Sequence, residues 1–264
     1  MALLETHGLT VTYGGLNAND NIDIKVESGQ LVGLIGPNGA GKTTFIDAIT
    51  GFTAPSAGSV IFDGEEINKY SPAQRADKGL VRTFQSLELF EDLTVWDNML
   101  AMAERPKWWT FLADLVMPNR PSAVAEQAQW ALDMLGLGAY KDTLPTDMSH
   151  GQRKLVSVAR GLAARPKLLL LDEPAAGLDS TESILLGGHL RDFLKHMTVF
   201  LIDHDMGLVL NVCDYIYVLD FGRIIAEGTP AEIRSNQAVI SAYLGETAGE
   251  MQAAEGEALS RRPA

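Results

Sequence analysis

The stretch that decides the fold runs from residue 31 to residue 51, LVGLIGPNGAGKTTFIDAITG. Leu31 to Ile35 form a continuous apolar run, which is typical of a strand covered on both faces. Gly36 to Thr43 fit the pattern G-x-x-x-x-G-K-[ST], and a helix is expected from near Thr43 to Gly51. A strand, a glycine-rich loop and a helix in this order predict an α/β sheet with an anion-binding loop at its edge.

The loop has the composition that binding of a nucleoside triphosphate requires. Glycines let successive backbone N–H groups curl towards an anion, and the positive end of the helix dipole points the same way. Lys42 is expected to reach the β- and γ-phosphates and the Thr43 hydroxyl to bind Mg²⁺. A simple glycine-rich turn beside a solvated lysine is disfavoured by the flanking strand and helix. The residues predicted to bind nucleotide here are Gly36, Pro37, Asn38, Gly39, Ala40, Gly41, Lys42, Thr43 and Thr44.

Two carboxylates follow a second apolar run. Residues 168–171 are leucines that lead directly into Asp172 and Glu173, and ligands of open α/β sheets bind at the carboxyl ends of the strands. Asp172 is expected to hold Mg²⁺, and Glu173 to orient or polarise an attacking water. His204, after the apolar run 199–202, is a candidate γ-phosphate contact, although a histidine at a strand end is more often a structural hydrogen bonder.

The remaining pattern predicts how the chain is organised. Ile22, Ile24 and Val26 alternate with charged residues, as in a half-buried strand, and residues 60–67, VIFDGEEI, predict a hairpin on an Asp-Gly turn. Residues from about 89 to 165 are helical in character and are divided by prolines. Strands return at 167–171, 199–202 and 215–219, with helices from near Asp179 and Met206, which predicts βαβ units and a parallel sheet.

Composition restricts the partners. The net charge is −13, which argues against a nucleic-acid partner because phosphate backbones are held by Lys and Arg. The single cysteine, Cys213, allows no intrachain disulfide and fits a reducing compartment. The start of the chain lacks a signal-peptide pattern, and no run approaches the roughly 18 apolar residues of a spanning helix. The chain is therefore expected to be soluble by itself and to reach a membrane through a partner.

A third motif resembles the signature of a known family. Residues 148–152, MSHGQ, are similar to the Leu-Ser-Gly-Gly-Gln signature of the ATP-binding cassette family, the nucleotide-binding subunits of ABC transporters. In that family the signature caps the γ-phosphate that a second subunit holds. The resemblance implies this role for Ser149, Gly151 and Gln152, where a hydroxyl, backbone N–H groups and a helix N-terminus converge on an anion. In isolation, a simple helix cap at Ser149 would be the favoured interpretation, whereas the phosphate loop and the acid pair favour the signature.

Further positions match the family in its own order. Gln85 resembles the glutamine that joins the core to a helical subdomain and senses Mg²⁺ and water. Tyr13 resembles the aromatic residue that stacks on adenine, and residues 176–179, AGLD, resemble the loop that communicates across the dimer. His150 departs from the pattern because it replaces the first glycine of the signature pair. An outward-pointing side chain is the simplest interpretation, and an added contact or a pH-sensitive site are the alternatives.

The resemblance implies an α/β fold of the P-loop NTPase (RecA-like) type, with a mixed-sheet core, an antiparallel β subdomain and a helical subdomain insertion. The ATP-binding domain would span residues 1–246, with its core at 1–88 and 166–246 and the helical subdomain at about 89–165. Residues 247–264, rich in Gly, Ala and Glu without apolar periodicity, are expected to form a flexible tail. The resemblance implies ATP and Mg²⁺ as cofactors, with Glu173, His204 and Gln85 catalytic and Thr43, Gln85 and Asp172 at the metal.

The implied partners are a second ABC ATPase subunit, identical or different, membrane-spanning permease subunits and an extracytoplasmic solute-binding protein. The implied location is the cytoplasmic face of the inner or plasma membrane. A non-transport ABC ATPase of DNA repair or ribosomes is the main rival, and the sequence lacks the long coiled-coil insertions or tandem cassettes typical of that class. A cassette that binds ATP without hydrolysis is disfavoured by the presence of Glu173, Gln85 and His204.

Several segments are similar to the branched-chain amino acid uptake subgroup, namely residues 82–85, 89–90, 173–178, 204–206, 228–233 and 242–246. Urea importers and the lipopolysaccharide-export ATPase share much of this. These motifs contact nucleotide or partner subunits and not the transported solute, so the identity of the substrate rests on analogy alone. Trp108 and Trp109 lie in an aromatic stretch that either anchors a membrane partner or packs within the helical insertion.

Overall fold

The structure, a computed structural model, describes residues 2–83, 89–103 and 123–243. Its strands are β1 (Ala2–Tyr13), β2 (Leu16–Glu27), β3 (Leu31–Ile35), β4 (Ala57–Phe62), β5 (Glu65–Glu66), β6 (Leu80–Thr83), β7 (Leu168–Asp172), β8 (Thr198–Ile202), β9 (Tyr215–Asp220) and β10 (Arg223–Gly228). Its helices are α1 (Lys42–Thr50), α2 (Pro72–Asp77), α3 (Val95–Ala103), α4 (Ala123–Met134), α5 (His150–Ala163), α6 (Ser180–Phe193), α7 (Met206–Val212) and α8 (Pro230–Ser235). Residues 237–243 are also helical.

The central sheet has six strands in the order β10-β9-β3-β8-β7-β6. The strands from β9 to β6 run parallel, and β10 pairs antiparallel with β9 at one edge. Every residue of β3, β7 and β8 is buried, as expected for parallel strands covered on both faces. The predicted mixed sheet is confirmed, and its order places the carboxyl ends of β3, β8 and β7 side by side.

A second, four-stranded sheet is antiparallel, in the order β2-β1-β4-β5. The alternating residues Ile22, Ile24 and Val26 are all buried in it. Phe62 pairs with Glu65 across an Asp-Gly turn whose two residues both have positive φ, the conformation that favours this dipeptide in hairpins. The predicted antiparallel β structure and its hairpin are therefore confirmed.

Two apolar clusters lie on opposite faces of the central sheet. Leu169 and Leu171 of β7 pack with the helical side, whereas Leu168 and Leu170 pack with α1 and the antiparallel sheet. This alternation follows from the period of a strand. Each fully buried leucine contributes about 1.5–3 kcal/mol, so the run of leucines joins the layers and fixes where the acid pair emerges.

Helices α3, α4 and α5 contact one another, and α5 also contacts β6 and β7. Helix α5 begins at His150, directly after Ser149, which forms a reciprocal capping box with Gln152. The division into core, helical subdomain and tail stays a prediction, and residues 247–264 lie outside the described part. None of the described helices has the length and apolarity needed to cross a membrane.

Candidate functional site

The phosphate loop joins the end of β3 to the start of α1. The ammonium of Lys42 donates hydrogen bonds to the carbonyl oxygens of Gly36, at 2.6 Å, and Pro37, at 2.9 Å. The Lys42 side chain is buried, and α1 begins without a side-chain cap. A cation and the positive end of a helix dipole therefore meet inside the loop, which is an arrangement suited to an anion.

Two glycines of the loop are required by their neighbours. A Cβ atom at Gly36 would overlap the carbonyl oxygen of Leu219, and one at Gly41 would overlap that of Ala18. Gly41 also has a φ of 102°, which is unfavourable for other residues. The loop backbone thus lies directly against β9 and β2. Of the other predicted loop residues, Asn38, Gly39 and Thr43 are exposed, Pro37 and Thr44 are half-buried and Ala40 is buried.

Asp172 is the last residue of β7 and is buried. Its Oδ2 accepts a hydrogen bond from Nη2 of Arg82 at 2.7 Å, and Nη1 of the same arginine donates to Oδ1 of Asp47 at 2.5 Å. Arg82 lies on the neighbouring strand β6, and Asp47 lies on α1. One guanidinium therefore connects the predicted metal ligand to the helix that follows the phosphate loop. Sequence reasoning missed Arg82, although a charged residue within an apolar strand was a usable signal.

Glu173 follows β7 with a left-handed backbone, at a φ of 48°. Such a conformation is costly for a residue other than glycine and persists where the surroundings hold it. Its N–H donates to the Ile202 carbonyl at 2.7 Å. Its Oε2 lies 3.7 Å from Nδ1 of His204. The structure thus brings the two predicted catalytic side chains together at the ends of β7 and β8.

Asp203 connects the segments that carry these two residues. It is fully buried and accepts hydrogen bonds from the backbone N–H of Ala175 at 3.1 Å and of Asp205 at 2.9 Å. Its Oδ1 lies 3.7 Å from Nδ1 of His204. The sequence predicted no role for this aspartate. Its place directly after the apolar run 199–202 was the available signal.

The signature segment forms the N-terminus of α5. The Ser149 hydroxyl accepts from the Gln152 N–H at 3.2 Å, and the Gln152 side chain accepts from the Ser149 N–H at 2.9 Å. The Gln152 amide also donates to the hydroxyl of Tyr140 at 2.7 Å. The helix-cap interpretation of Ser149 therefore describes the local geometry. The role of this segment towards a second nucleotide stays a prediction.

The two residues between Ser149 and Gln152 pack on the segment that follows the acid pair. A Cβ atom at Gly151 would overlap the Glu182 carboxylate, so only glycine fits there without a shift. His150 is exposed, and its Nε2 would lie 3.0 Å from a Cβ atom added at Gly177. The histidine that departs from the family pattern thus lies next to the backbone of the loop 176–179.

The remaining predicted residues are Tyr13, Gln85, Trp108 and Trp109. Tyr13 is half exposed at the end of β1, with its hydroxyl 3.4 Å from that of Thr53, and its contact with adenine stays a prediction. Gln85, Trp108 and Trp109 lie outside the described residues. Within the described ranges, no group of three or more His, Cys, Asp or Glu side chains is placed to hold a metal ion.

A glycine-rich loop with a buried lysine, a carboxylate pair and a histidine follow three adjacent parallel strands. This arrangement is typical of nucleotide-binding proteins of the P-loop class. The chain belongs to the ABC transporter family, whose model matches residues 19–176. A second family model, described as branched-chain amino acid ATP-binding cassette transporter, matches residues 223–249. The chain is therefore an ATP-binding ATPase subunit of an ABC transporter.

Three relatives are similar to this chain over nearly their whole length. The high-affinity branched-chain amino acid transport ATP-binding protein BraF of Pseudomonas aeruginosa is 40% identical over 92% of this chain and 98% of its own. The corresponding LivG of Escherichia coli is 38% identical with the same coverage. The lipopolysaccharide export system ATP-binding protein LptB of Escherichia coli is 34% identical over 93% of this chain and 98% of its own.

A solved structure agrees with the fold. The crystal structure of the ADP conformation of MJ1267, an ATP-binding cassette of an ABC transporter, superposes with a TM-score of 0.83 at 32% identity. It covers 93% of this chain and 100% of MJ1267. The predicted P-loop NTPase fold and family are confirmed.

Proposed function

We propose that this subunit hydrolyses ATP to power the uptake of branched-chain or other hydrophobic amino acids. Hydrolysis is supported mainly by the proximity of Glu173 and His204, whose Oε2 and Nδ1 atoms lie 3.7 Å apart at the strand ends beside the phosphate loop. The substrate class is supported by the match of residues 223–249 to the branched-chain model. It is also supported by similarity to BraF and LivG, whose names state branched-chain amino acid transport.

The loop residues fit a triphosphate. The Lys42 ammonium, already inside the loop, binds the β- and γ-phosphates together with the loop N–H groups, and Tyr13 stacks on adenine. Oxygen ligands from Thr43, Asp172 and Gln85 fit Mg²⁺, which typically binds through one or two carboxylates plus substrate phosphates. Bound Mg²⁺ neutralises phosphate charge.

Hydrolysis needs a water held in line with the γ-phosphate. The Glu173 carboxylate accepts a hydrogen bond from that water and orients it, and His204 donates to a γ-phosphate oxygen. Both residues lie just after strands of the central sheet, which fixes their positions. Asp203 connects the two segments by accepting hydrogen bonds from the N–H groups of Ala175 and Asp205. Positioning of this kind, together with electrostatic stabilisation, supplies most of the catalysis of phosphoryl transfer.

The proposed assembly contains two cassettes, because each ATP site consists of two half-sites, the phosphate loop of one subunit and the signature segment of the other. Ser149, Gly151 and Gln152 cap the ATP held by a second cassette subunit, and the partner's equivalent segment caps this one. Closure on two ATP molecules and reopening after hydrolysis would move membrane-spanning permease subunits between inward- and outward-facing states. A solute-binding protein delivers the amino acid from outside, and the cassette acts at the cytoplasmic face of the membrane.

The experiment that tests this function is transport by the reconstituted complex. The chain is co-purified with its membrane subunits, placed in liposomes with the solute-binding protein, and supplied with ATP on the cassette side. ATP-dependent accumulation of leucine is expected. Urea uptake without leucine uptake would contradict the substrate class. Release of lipopolysaccharide would favour the second candidate, which the 34% identity to LptB supports.

A further inference from the structure

A lysine lies in the buried stripe of α5, the helix that begins with the signature segment. Gly151, Lys154, Val158 and Leu162 recur at helical spacing, and all four are buried. Burial lowers the pKa of Lys154, and the carboxylates of Asp203, Glu173 and Asp172 raise it back in part. Placing an ammonium among apolar residues is unfavourable unless the group is paired and hydrogen-bonded. The contacts of Lys154 therefore indicate what it does.

The Lys154 ammonium donates a hydrogen bond to the backbone carbonyl of Glu173 at 3.0 Å. The same carbonyl accepts from the N–H of Ala176 at 3.2 Å. Glu173 is the residue with the left-handed backbone, at a φ of 48°. The carbonyl of Glu173 thus accepts from Lys154, and its N–H donates to Ile202. Together these hydrogen bonds hold the residue in a left-handed conformation that it would otherwise tend to leave.

We propose that Lys154 is a positioning residue for ATP hydrolysis, which fixes the peptide of Glu173 and thereby the direction of its carboxylate. The proposal rests on the proposed role of Glu173 in orienting water. Lys154 does not touch nucleotide in this role. Its effect on the reaction passes through the Glu173 backbone.

The position of Lys154 on α5 gives the contact a second consequence. The first turn of this helix is the half-site offered to a second cassette, whereas Glu173 belongs to the ATP site of this chain. His150 and Gly151, in the same first turn, pack on Gly177 and Glu182. A displacement of α5 on engaging the partner's nucleotide would thus be transmitted to Glu173 through a directional bond. Lys154 connects the two half-sites within one chain.

The test uses three substitutions in the assembled transporter. Lys154→Met keeps the apolar stem and removes the donor, Lys154→Gln keeps a neutral donor, and Lys154→Arg keeps a charged one. We expect Lys154→Met to lower kcat for ATP about 10- to 100-fold, the range expected for a misplaced catalytic group. The KM for ATP and the binding of a fluorescent ATP analogue should stay within about twofold of the unmodified transporter. Arginine and glutamine should each restore part of kcat.

The matched control is Lys167→Met. Lys167 precedes the opposite end of β7 and pairs on the surface with Asp63, so kcat should not change. Unaltered kcat in Lys154→Met would overturn the proposal. So would equal losses of kcat in the Met, Gln and Arg variants, or a loss of kcat accompanied by an equal loss of ATP-analogue binding, because either would indicate a packing role.

Glu173→Gln separates this inference from the function on which it rests. If that variant loses turnover while Lys154→Met keeps it, the positioning role fails and the role of Glu173 stands. If Glu173→Gln retains wild-type turnover, the proposed role of Glu173 fails first. Thermal unfolding of each variant shows whether it is folded. Should Lys154→Met be unfolded, the Gln and Arg variants still decide, because each should have a kcat below that of the unmodified transporter with ATP-analogue binding unchanged, and an unaltered kcat in both would overturn the proposal.

Discussion

Arg82 and Asp172 form a buried ion pair, with 2.7 Å between Nη2 and Oδ2, across the parallel strands β6 and β7. A second guanidinium nitrogen, Nη1, donates to the carboxylate of Asp47 on α1. A planar guanidinium can hold two carboxylates in fixed directions, which an ammonium cannot do as well. The pair therefore orients the carboxylate proposed to hold Mg²⁺ and ties it to the helix that begins with Lys42.

Replacement of Arg82 by methionine should be strongly destabilising. It would leave Asp172 buried without its partner, and breaking a buried pair from one side costs about 3–5 kcal/mol. We expect the lower end, about 3 kcal/mol in the free energy of unfolding, because Asp47 is partly exposed. Urea denaturation measures it. Arg191→Met is the control, since its pair with Asp214 is solvent-exposed and should be worth less than about 1 kcal/mol.

The ion pair also shows where sequence reasoning succeeds and where it stops. The phosphate loop, the acid pair and the Asp-Gly hairpin are local patterns, and each was predicted from residues adjacent in the chain. Arg82 acquires its role because β6 lies beside β7 in the sheet, with Arg82 paired in register with Leu170. Lys154 likewise depends on how α5 lies against the end of β7. Contacts set by strand order and helix packing leave no periodic signal in one sequence.

The adjacent glycines of α6 should respond differently to alanine. Gly188 is exposed, and a Cβ atom there meets nothing within 4 Å, so Gly188→Ala should raise the free energy of unfolding by about 0.5–1 kcal/mol through helix propensity. A Cβ atom at Gly187 would lie 3.0 Å from Cγ1 of Val212, so crowding against α7 should cancel the gain. Urea denaturation of both variants checks this, and equal stabilisation would contradict it.

Tyr217 should make stability depend on alkaline pH. Its hydroxyl accepts from the N–H of Lys25 at 3.0 Å and donates to the carbonyl at 3.1 Å, which joins β9 to β2. Burial raises the pKa of Tyr217 to about 12, above the usual value of about 10. The folded state therefore favours the protonated hydroxyl, and its stabilisation is present below about pH 10 and is lost as the pH rises towards 12.

The measurement is urea denaturation between pH 8 and pH 11.5 for the unmodified chain and Tyr217→Phe. The variant should be less stable at pH 8 by about 1–3 kcal/mol, because it leaves two backbone groups without the hydroxyl. Its stability should then fall less steeply with pH, by a difference on the order of 2 kcal/mol across the range. Identical slopes for the two proteins would contradict the assignment to Tyr217.

The substitution Glu173→Gln keeps the volume of the side chain and removes the charge that accepts a proton or orients water. ATP binding should persist, because Lys42 and the loop 36–44 are unchanged. Turnover should fall about 10²- to 10⁴-fold, the usual contribution of a positioned acid or base. The complex should therefore stay closed on ATP, and cassette dimers should accumulate in size-exclusion chromatography with ATP and Mg²⁺.

The control is Glu66→Gln, at an exposed position on the β4–β5 hairpin, which should hydrolyse ATP like the unmodified chain. Wild-type turnover in Glu173→Gln would remove this carboxylate from the reaction. The positive φ of Glu173 would then have no functional explanation. Loss of ATP binding together with turnover would instead place Glu173 in the binding of nucleotide. A loss of turnover alone, with dimers that persist until ATP is withdrawn, is the result expected if hydrolysis reopens the cassettes.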